Sequence, residues 1–296
     1  PICRLVEPQD AENVLASGAA DFISLGRALY ADAHWCAKAF GDVKAPIRRC
    51  VACNVCHDRL SAEKDVTCVQ NPMMGTEFEQ LPMAEPHLYG QRTRTPKRVL
   101  ILGAGVAGVT AARVAEGYGH TVEIWEQRER VGGQIHLSVA APDKQEVEGA
   151  WLYPWTEVQQ LGVPVHLSKT VSEKTLAEFK PDLVIMATGA RPKAAPIDLS
   201  ALENSVKVHQ AWDVLADAQC IAQGARVTVL GGGTVGLETA DLLIKHRACK
   251  VTLIEPKAAL AEGISKSNRN EVIDRVRAAG AVIHLKTQAL SASGKT

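Results

Sequence analysis

Four cysteines fall within one short stretch: Cys50, Cys53, Cys56 and Cys68, in the pattern C-x2-C-x2-C-x11-C, followed by Asn71-Pro72. Thiols can be disulfide partners, metal ligands or redox pairs, so the spacing has to discriminate between them. Disulfide frameworks belong to short, loop-rich secreted chains. This chain has 296 residues, and its other cysteines, Cys3, Cys36, Cys220 and Cys249, are scattered. A redox C-x-x-C needs only two thiols and normally opens a helix after a strand. Zinc usually takes two well-separated pairs. Three thiolates on one tight loop can hold three corners of an iron–sulfur cubane, and a fourth from further along closes it. Spacing favours the cluster and leaves zinc open.

Two glycine runs carry a different chemistry. Gly103, Gly105 and Gly108 form G-x-G-x-x-G, and Gly231, Gly233 and Gly236 repeat it 128 residues later. Each run follows an apolar stretch, opens a helical pattern, and has an acid 23 or 24 residues after its first glycine, Glu126 or Glu255. The first glycine makes a tight turn, the second admits a pyrophosphate to the backbone, and the third lets helix and strand pack closely. The helix N-terminus offers unpaired N–H groups, and the acid accepts ribose hydroxyls. Glu255 would repel a 2′-phosphate, and Lys257 is not at the same spot. NADH is therefore expected over NADPH at the second site. "ERVGGQI", with Gly132, Gly133 and Gln134, and "DLVIMATGARP", with its turn at Ala187–Gly189, fit flavin chemistry. Two nested nucleotide folds are how a flavin and a nicotinamide are brought together for hydride transfer.

The elements that must position these groups read as follows. Residues 1–45 read as strand, helix, strand, helix. Residues 46–95 hold the cysteine loop and a Pro-rich connector. From Lys97 the pattern is strand, glycine turn, helix, strand, and Val99–Leu102 is a continuous apolar run, as in a strand buried on both faces. "KSNRNEVIDRVRAAG" reads as an amphipathic helix, Trp151 and Trp155 as helix packing, Cys220 and Cys249 as small core residues, and His57 as exposed. His87, His120, His136, His166, His209 and His246 make no spaced pair for a metal. Lys+Arg and Asp+Glu are equal at 33 each and aromatics are 4%, which argues against a nucleic-acid partner. No apolar run reaches the length of a membrane span. The opening "PICRLVEPQD" and the ending "LSASGKT" suggest a piece of a longer protein.

Together these residues resemble the multi-cofactor branch of the NADH:flavin oxidoreductase (old yellow enzyme-like) family, the branch of 2,4-dienoyl-CoA reductase, trimethylamine dehydrogenase and histamine dehydrogenase. The resemblance covers essentially the whole chain. It implies an α/β fold: the end of an FMN-binding (β/α)8 barrel at 1–45, a 4Fe–4S loop and linker at 46–95, an FAD-binding domain at 96–203, and an NAD(H)-binding domain at 204–296 inserted in it. Cys50, Cys53, Cys56 and Cys68 would ligate the cluster. Arg4, Gly26 and Arg27 would lie at the FMN phosphate, although the family usually has glycine at the Cys3 position. Gly103, Gly105, Ala107, Gly108, Glu126 and Gln134 would bind the ADP half of FAD, Val171 would offer its backbone to the adenine, and Gly189 marks the passage between domains. Gly231, Gly233, Gly236, Glu238 and Glu255 would serve NADH, Glu238 having a plain alternative as a solvated helix residue.

The implied activity is an electron relay from NADH through FAD, the cluster and FMN to an activated alkene, with the catalytic acid in a barrel portion outside this chain. Two rivals stand beside it. One is a methylated-amine dehydrogenase whose electrons leave through the cluster, for instance to an electron-transfer flavoprotein. The other is an electron-transfer module serving a partner. The C-x2-C-x2-C start is closer to the amine dehydrogenases, whereas "GGGTVGLETA" is an intact nicotinamide fingerprint, which they tend to lose. A cytoplasmic homo-oligomer acting on a small molecule is expected.

Overall fold

The computed structural model describes residues 4–76, 90, 92–195, 197–199, 202 and 206–292. Cys3, His87 and most of the Pro-rich connector lie outside the described residues. Two compact units form: Pro1–Ile135 with Glu146–Gly189, and His136–Gln145 with Ala190–Thr296.

In the first unit the N-terminal segment is helical. Helix α1 (Pro8–Ala16) begins with proline, whose missing N–H costs nothing in a first turn. Short helices α2 (Arg27–Ala31) and α3 (Trp35–Ala39) follow. Ala11, Ala28 and Trp35 form a small core onto which Leu5, Ile23, Leu25 and Ile47 pack. The two strands expected in residues 1–45 do not form: among the described residues, none precedes Arg98. A strand exists by hydrogen bonding to neighbours. Ile23 and Leu25 pack on the core while Phe22 is 85% exposed.

The expected glycine-turn unit forms as read. Strand β1 (Arg98–Leu102) pairs in parallel with β2 (Thr121–Trp125) and with β4 (Leu183–Met186), and β2 pairs with β3 (Val165–His166). The order is β3-β2-β1-β4. Val99 and Ile101 of β1 pack with Val109 and Ala112 of helix α5 (Val106–Gly117) and with Val158 of helix α7 (Gly149–Gln160). Leu100 and Leu102 pack on the other side with Trp125, and with Leu176 and Phe179 of helix α8 (Glu173–Phe179). Both faces are covered, which is why the run carries no polar residue. Leu100 and Ile101 have no exposed surface, so truncating either to Ala costs roughly 2–5 kcal/mol. Trp151 and Trp155 stack on α7 with ring centroids 5.8 Å apart.

The second unit repeats the device. Strands β5 (Arg226–Leu230), β6 (Lys250–Glu255) and β7 (Val282–Leu285) are parallel in that order. Helix α10 (Thr234–Arg247) connects the first two and helix α11 (Lys266–Ala278), the expected amphipathic helix, the last two. Its core includes Leu237, Ala240, Leu243, Val251, Leu253 and Val276. Cys249 is buried there as expected, but Cys220, which ends a single 3-10 turn (Ala218–Cys220), is exposed. Among the described residues, no helix is long and apolar enough to cross a membrane.

Candidate functional site

The four-cysteine loop is shaped by its backbone. Ala52 and Asn54 both adopt left-handed conformations, with φ of 52° and 56°, on either side of Cys53. Two such residues reverse the chain tightly, and helix α4 (Val55–Ser61) starts directly after them with Cys56 in its first turn. Cys50, Cys53, Cys56 and Cys68 then line one small cavity, together with Arg27, Tyr30, Val51, Asn54 and Gln70. All four are free thiols, and among the described residues no carboxylate lines the cavity. Burial pushes the Cys53 and Cys68 thiols up, while backbone N–H groups of Val55, Asn71 and Gln70 donate to the sulfurs and oppose it. Among the described residues, no group of three His, Cys, Asp or Glu side chains is placed to hold a single metal ion. Four thiolate donors are a set that either zinc or an iron–sulfur cluster can take.

Asn71, which sequence reading left without a role, closes this loop. It is 1% exposed, its Nδ2 donates to the Tyr30 carbonyl at 3.1 Å, and its Oδ1 accepts from the Met73 N–H at 3.1 Å. Arg27 donates through Nη1 to the Asn54 Oδ1 at 2.6 Å. Arg4 is ion-paired with Glu146, which holds that carboxyl below the usual range, and Arg27 adds to the effect. The arginines assigned to the FMN phosphate thus share the field of one carboxylate. An incoming phosphate would compete with Glu146 for them. Gly26 caps the N-terminus of α2.

The two glycine cradles are built alike. Gly103 has φ of 106° and Gly231 of 98°, which L side chains rarely adopt. Their N–H groups donate to the Trp125 and Ile254 carbonyls, each at 2.8 Å. A Cβ on Gly108 would stand 1.9 Å from the Gly103 oxygen, and one on Gly236 equally 1.9 Å from the Gly231 oxygen. Gly105 and Gly233 cap α5 and α10, so both helix N-termini open onto their loops. The strand-end acids are buried and oriented. Glu126 accepts from the Ala104 and Arg128 N–H groups at 2.8 and 2.9 Å, and Glu255 from Gly232 and Lys257 at 2.6 and 2.8 Å. A carboxylate has about four lone-pair sites, which leaves capacity for ribose hydroxyls.

The first cradle gathers three motifs that are far apart in sequence. Gly132 donates to the Ala104 carbonyl at 2.8 Å, and a Cβ on Gly133 would meet Gly105 at 3.1 Å. A Cβ on Gly103 would meet the Ala187 oxygen at 2.4 Å, and one on Gly189 the Gln134 side chain at 3.1 Å. Ala107 lies exposed on the first turn of α5. Val171 is 39% exposed, shortly after Lys169, whose N–H donates to the Glu126 carbonyl at 2.9 Å. In the second cradle Glu238 is 5% exposed, so it is not a solvated helix residue. It pairs with Lys144, and burial pushes its carboxyl up against that pairing. Nothing in the sequence pattern pointed to Lys144.

A parallel sheet with a glycine cradle, helix and strand-end acid, built twice in one chain, is the frame of an NAD(P)H-dependent flavin oxidoreductase. Residues 97–296 match the family described as pyridine nucleotide-disulphide oxidoreductase, and the chain belongs to it. It is 34% identical to an NADH oxidase of Thermoanaerobacter brockii over 91% of this chain and 40% of that protein. It is 35% identical to a bilirubin reductase of Mediterraneibacter gnavus over 90% of this chain and 40% of that protein. The structure of a 2-naphthoyl-CoA reductase complex superposes with a TM-score of 0.84 at 23% identity, over 97% of this chain and 42% of that one. Reductases and amine dehydrogenases both occur among further relatives, so the family branch expected from the sequence is borne out. The chain spans about 40% of the length of the curated relatives it matches.

Proposed function

We propose that this chain is the electron-input part of an iron–sulfur flavoprotein that uses NADH to reduce an activated alkene, of enoate or enoyl-CoA type. The observation that carries the reading is the intact second cradle, Gly231–Gly233–Gly236 with its oriented Glu255, in the same chain as four free thiols around one cavity. The relatives named for reductase and NADH oxidase activities support the direction. Cys50, Cys53, Cys56 and Cys68 would hold a 4Fe–4S cluster. Gly103, Gly105, Gly108, Glu126 and Gln134 would hold FAD. Gly231, Gly233, Gly236, Glu238 and Glu255 would hold NADH. Arg4, Gly26 and Arg27 would face the phosphate of FMN carried by a barrel of which residues 1–45 are the end. Flavins supply hydride chemistry and a cluster supplies one-electron passage between them.

The protein's own part is geometric and electrostatic. The two left-handed residues aim three thiols into one cavity, the helix N-termini of α5 and α10 take up pyrophosphate charge, and the strand-end acids orient the ribose. The amine reading is favoured by the C-x2-C-x2-C start and remains the second reading. An anaerobic spectral titration of the full protein with NADH, with iron and sulfide counted on the same sample, separates them. Bleaching of flavin and cluster absorbance by NADH, with about four irons per chain, is the expected result. Bleaching by a methylated amine and none by NADH would sink the reductase reading. A colourless, zinc-loaded protein would sink the cluster.

A further inference from the structure

We propose that Arg27 sets both the position and the electron affinity of the cluster held by the four cysteines, acting through Asn54 as a positioning residue. The inference rests on the cluster reading above. Its first support is place: among the described residues, Arg27 is the one cationic side chain lining the cavity that all four thiols line. Its second is the hydrogen bond of 2.6 Å from Nη1 to the Asn54 Oδ1. Asn54 holds a left-handed conformation in the three-bond turn between Cys53 and Cys56, and its side chain is the handle by which that turn can be fixed from outside. A guanidinium has five donors in a planar fork, so holding Asn54 leaves donors for a flavin phosphate.

The electrostatics follow from the count of charges. Four thiolates make the site anionic, and reduction brings one more electron with no bond to Arg27 formed or broken. A fixed cation at the cavity wall stabilises the more negative state, most strongly where water is scarce, as beside Val51 at 5% exposure. Glu146 opposes it, but that carboxylate is 53% exposed and paired with Arg4. Outer groups that orient ligands and carry charge are the usual means by which a protein tunes a metal centre.

The test uses full-length protein purified without oxygen, in the variants Arg27→Lys, Arg27→Gln and Asn54→Gly. Iron, sulfide and FMN are counted on each sample, and the cluster midpoint potential is read by an EPR-monitored dithionite titration. Arg27→Gln is expected to lower the midpoint and Arg27→Lys to keep most of it. Asn54→Gly keeps the left-handed turn and the cation but removes the amide. It is expected to lower the midpoint or the iron content while FMN stays bound, which separates the cluster role from any role at the phosphate. Full iron and an unchanged midpoint in both Arg27→Gln and Asn54→Gly overturn the proposal. If Arg27→Gln loses all iron, Asn54→Gly alone decides: full iron with a wild-type midpoint there overturns the proposal, and a lowered midpoint or iron content supports it. Wild-type protein without iron is a different failure, that of the cluster itself.

Discussion

Glu126 and Glu255 each receive two backbone N–H bonds from the ends of the loops they face, so neither has to be recruited when a dinucleotide arrives. An oriented carboxylate at a ribose is a filter as well as a ligand, because a 2′-phosphate would sit against it. Flavin reduction is expected to run at least about tenfold faster per unit concentration with NADH than with NADPH, a preference of roughly 1.4 kcal/mol. Glu255→Ala should weaken NADH by about tenfold or more, since a charged hydrogen bond is worth ~1.5–3 kcal/mol, and should narrow the NADH preference. Stopped-flow reduction with both cofactors checks this, and equal rates in the wild type would remove the argument. Ala52 is the other residue whose conformation makes a claim. A left-handed alanine costs ~1–2 kcal/mol, and a β-branched residue there is a true outlier. Ala52→Gly is expected to keep its iron with little change in stability, because relieved strain and added chain entropy offset each other. Ala52→Val should lose iron. Iron per chain after gel filtration distinguishes them.

Among elements, the two cradles are where local sequence and local structure agree. Gly108 and Gly236 each have another chain atom where a Cβ would be, at 1.9 Å, so alanine at either must push the helix off its strand. The effects should separate by cradle: Gly108→Ala loses FAD, while Gly236→Ala keeps FAD but is reduced slowly by NADH. Flavin-to-protein ratios and reduction rates measure the two. These cradles were legible because everything that makes them, glycine, apolar run and acid, lies within one strand–helix–strand stretch. The strands expected in residues 1–45 were not, because a strand is completed by neighbours that no local pattern supplies. Lys144 and Asn71 escaped for a related reason. A single polar residue gains a meaning only from partners such as Glu238 or the Tyr30 carbonyl, which no spacing rule connects to it.

At the scale of the first unit, one buried ionic network joins segments that the sequence shows as unrelated. Asp32 accepts from the Lys38 Nζ at 2.7 Å and from the Arg48 N–H at 2.8 Å. The Arg48 guanidinium lies 4.5 Å from the Tyr153 ring centre, and the Tyr153 hydroxyl donates to Glu157 at 3.0 Å. Glu157 in turn pairs with Arg113 of α5 at 3.2 Å. Arg48 stands two residues before Cys50 and Arg113 follows the first cradle, so the network ties the cysteine loop to the flavin-type helices. Asp32, Arg48, Arg113, Tyr153 and Glu157 are each less than one-tenth exposed, as is the Lys38 side chain. Lys38 pairs with Asp32 and Arg113 with Glu157, whereas Arg48 meets Asp32 through its backbone N–H. Direct side-chain pairing ranks the substitutions. Arg113→Met strips the buried Glu157 carboxylate of its guanidinium and should destabilise by about 3–5 kcal/mol. Arg48→Met should cost less, because Asp32 keeps Lys38 and the backbone N–H groups of His34 and of residue 48. The double change Arg113→Met with Glu157→Leu should recover most of the loss, since replacing both ions by apolar groups of similar volume is often near neutral. Urea unfolding at matched cofactor loading measures all three. If Arg48→Met proves the costliest, or the double change is as damaging as Arg113→Met alone, direct ion pairing is not what holds these segments together.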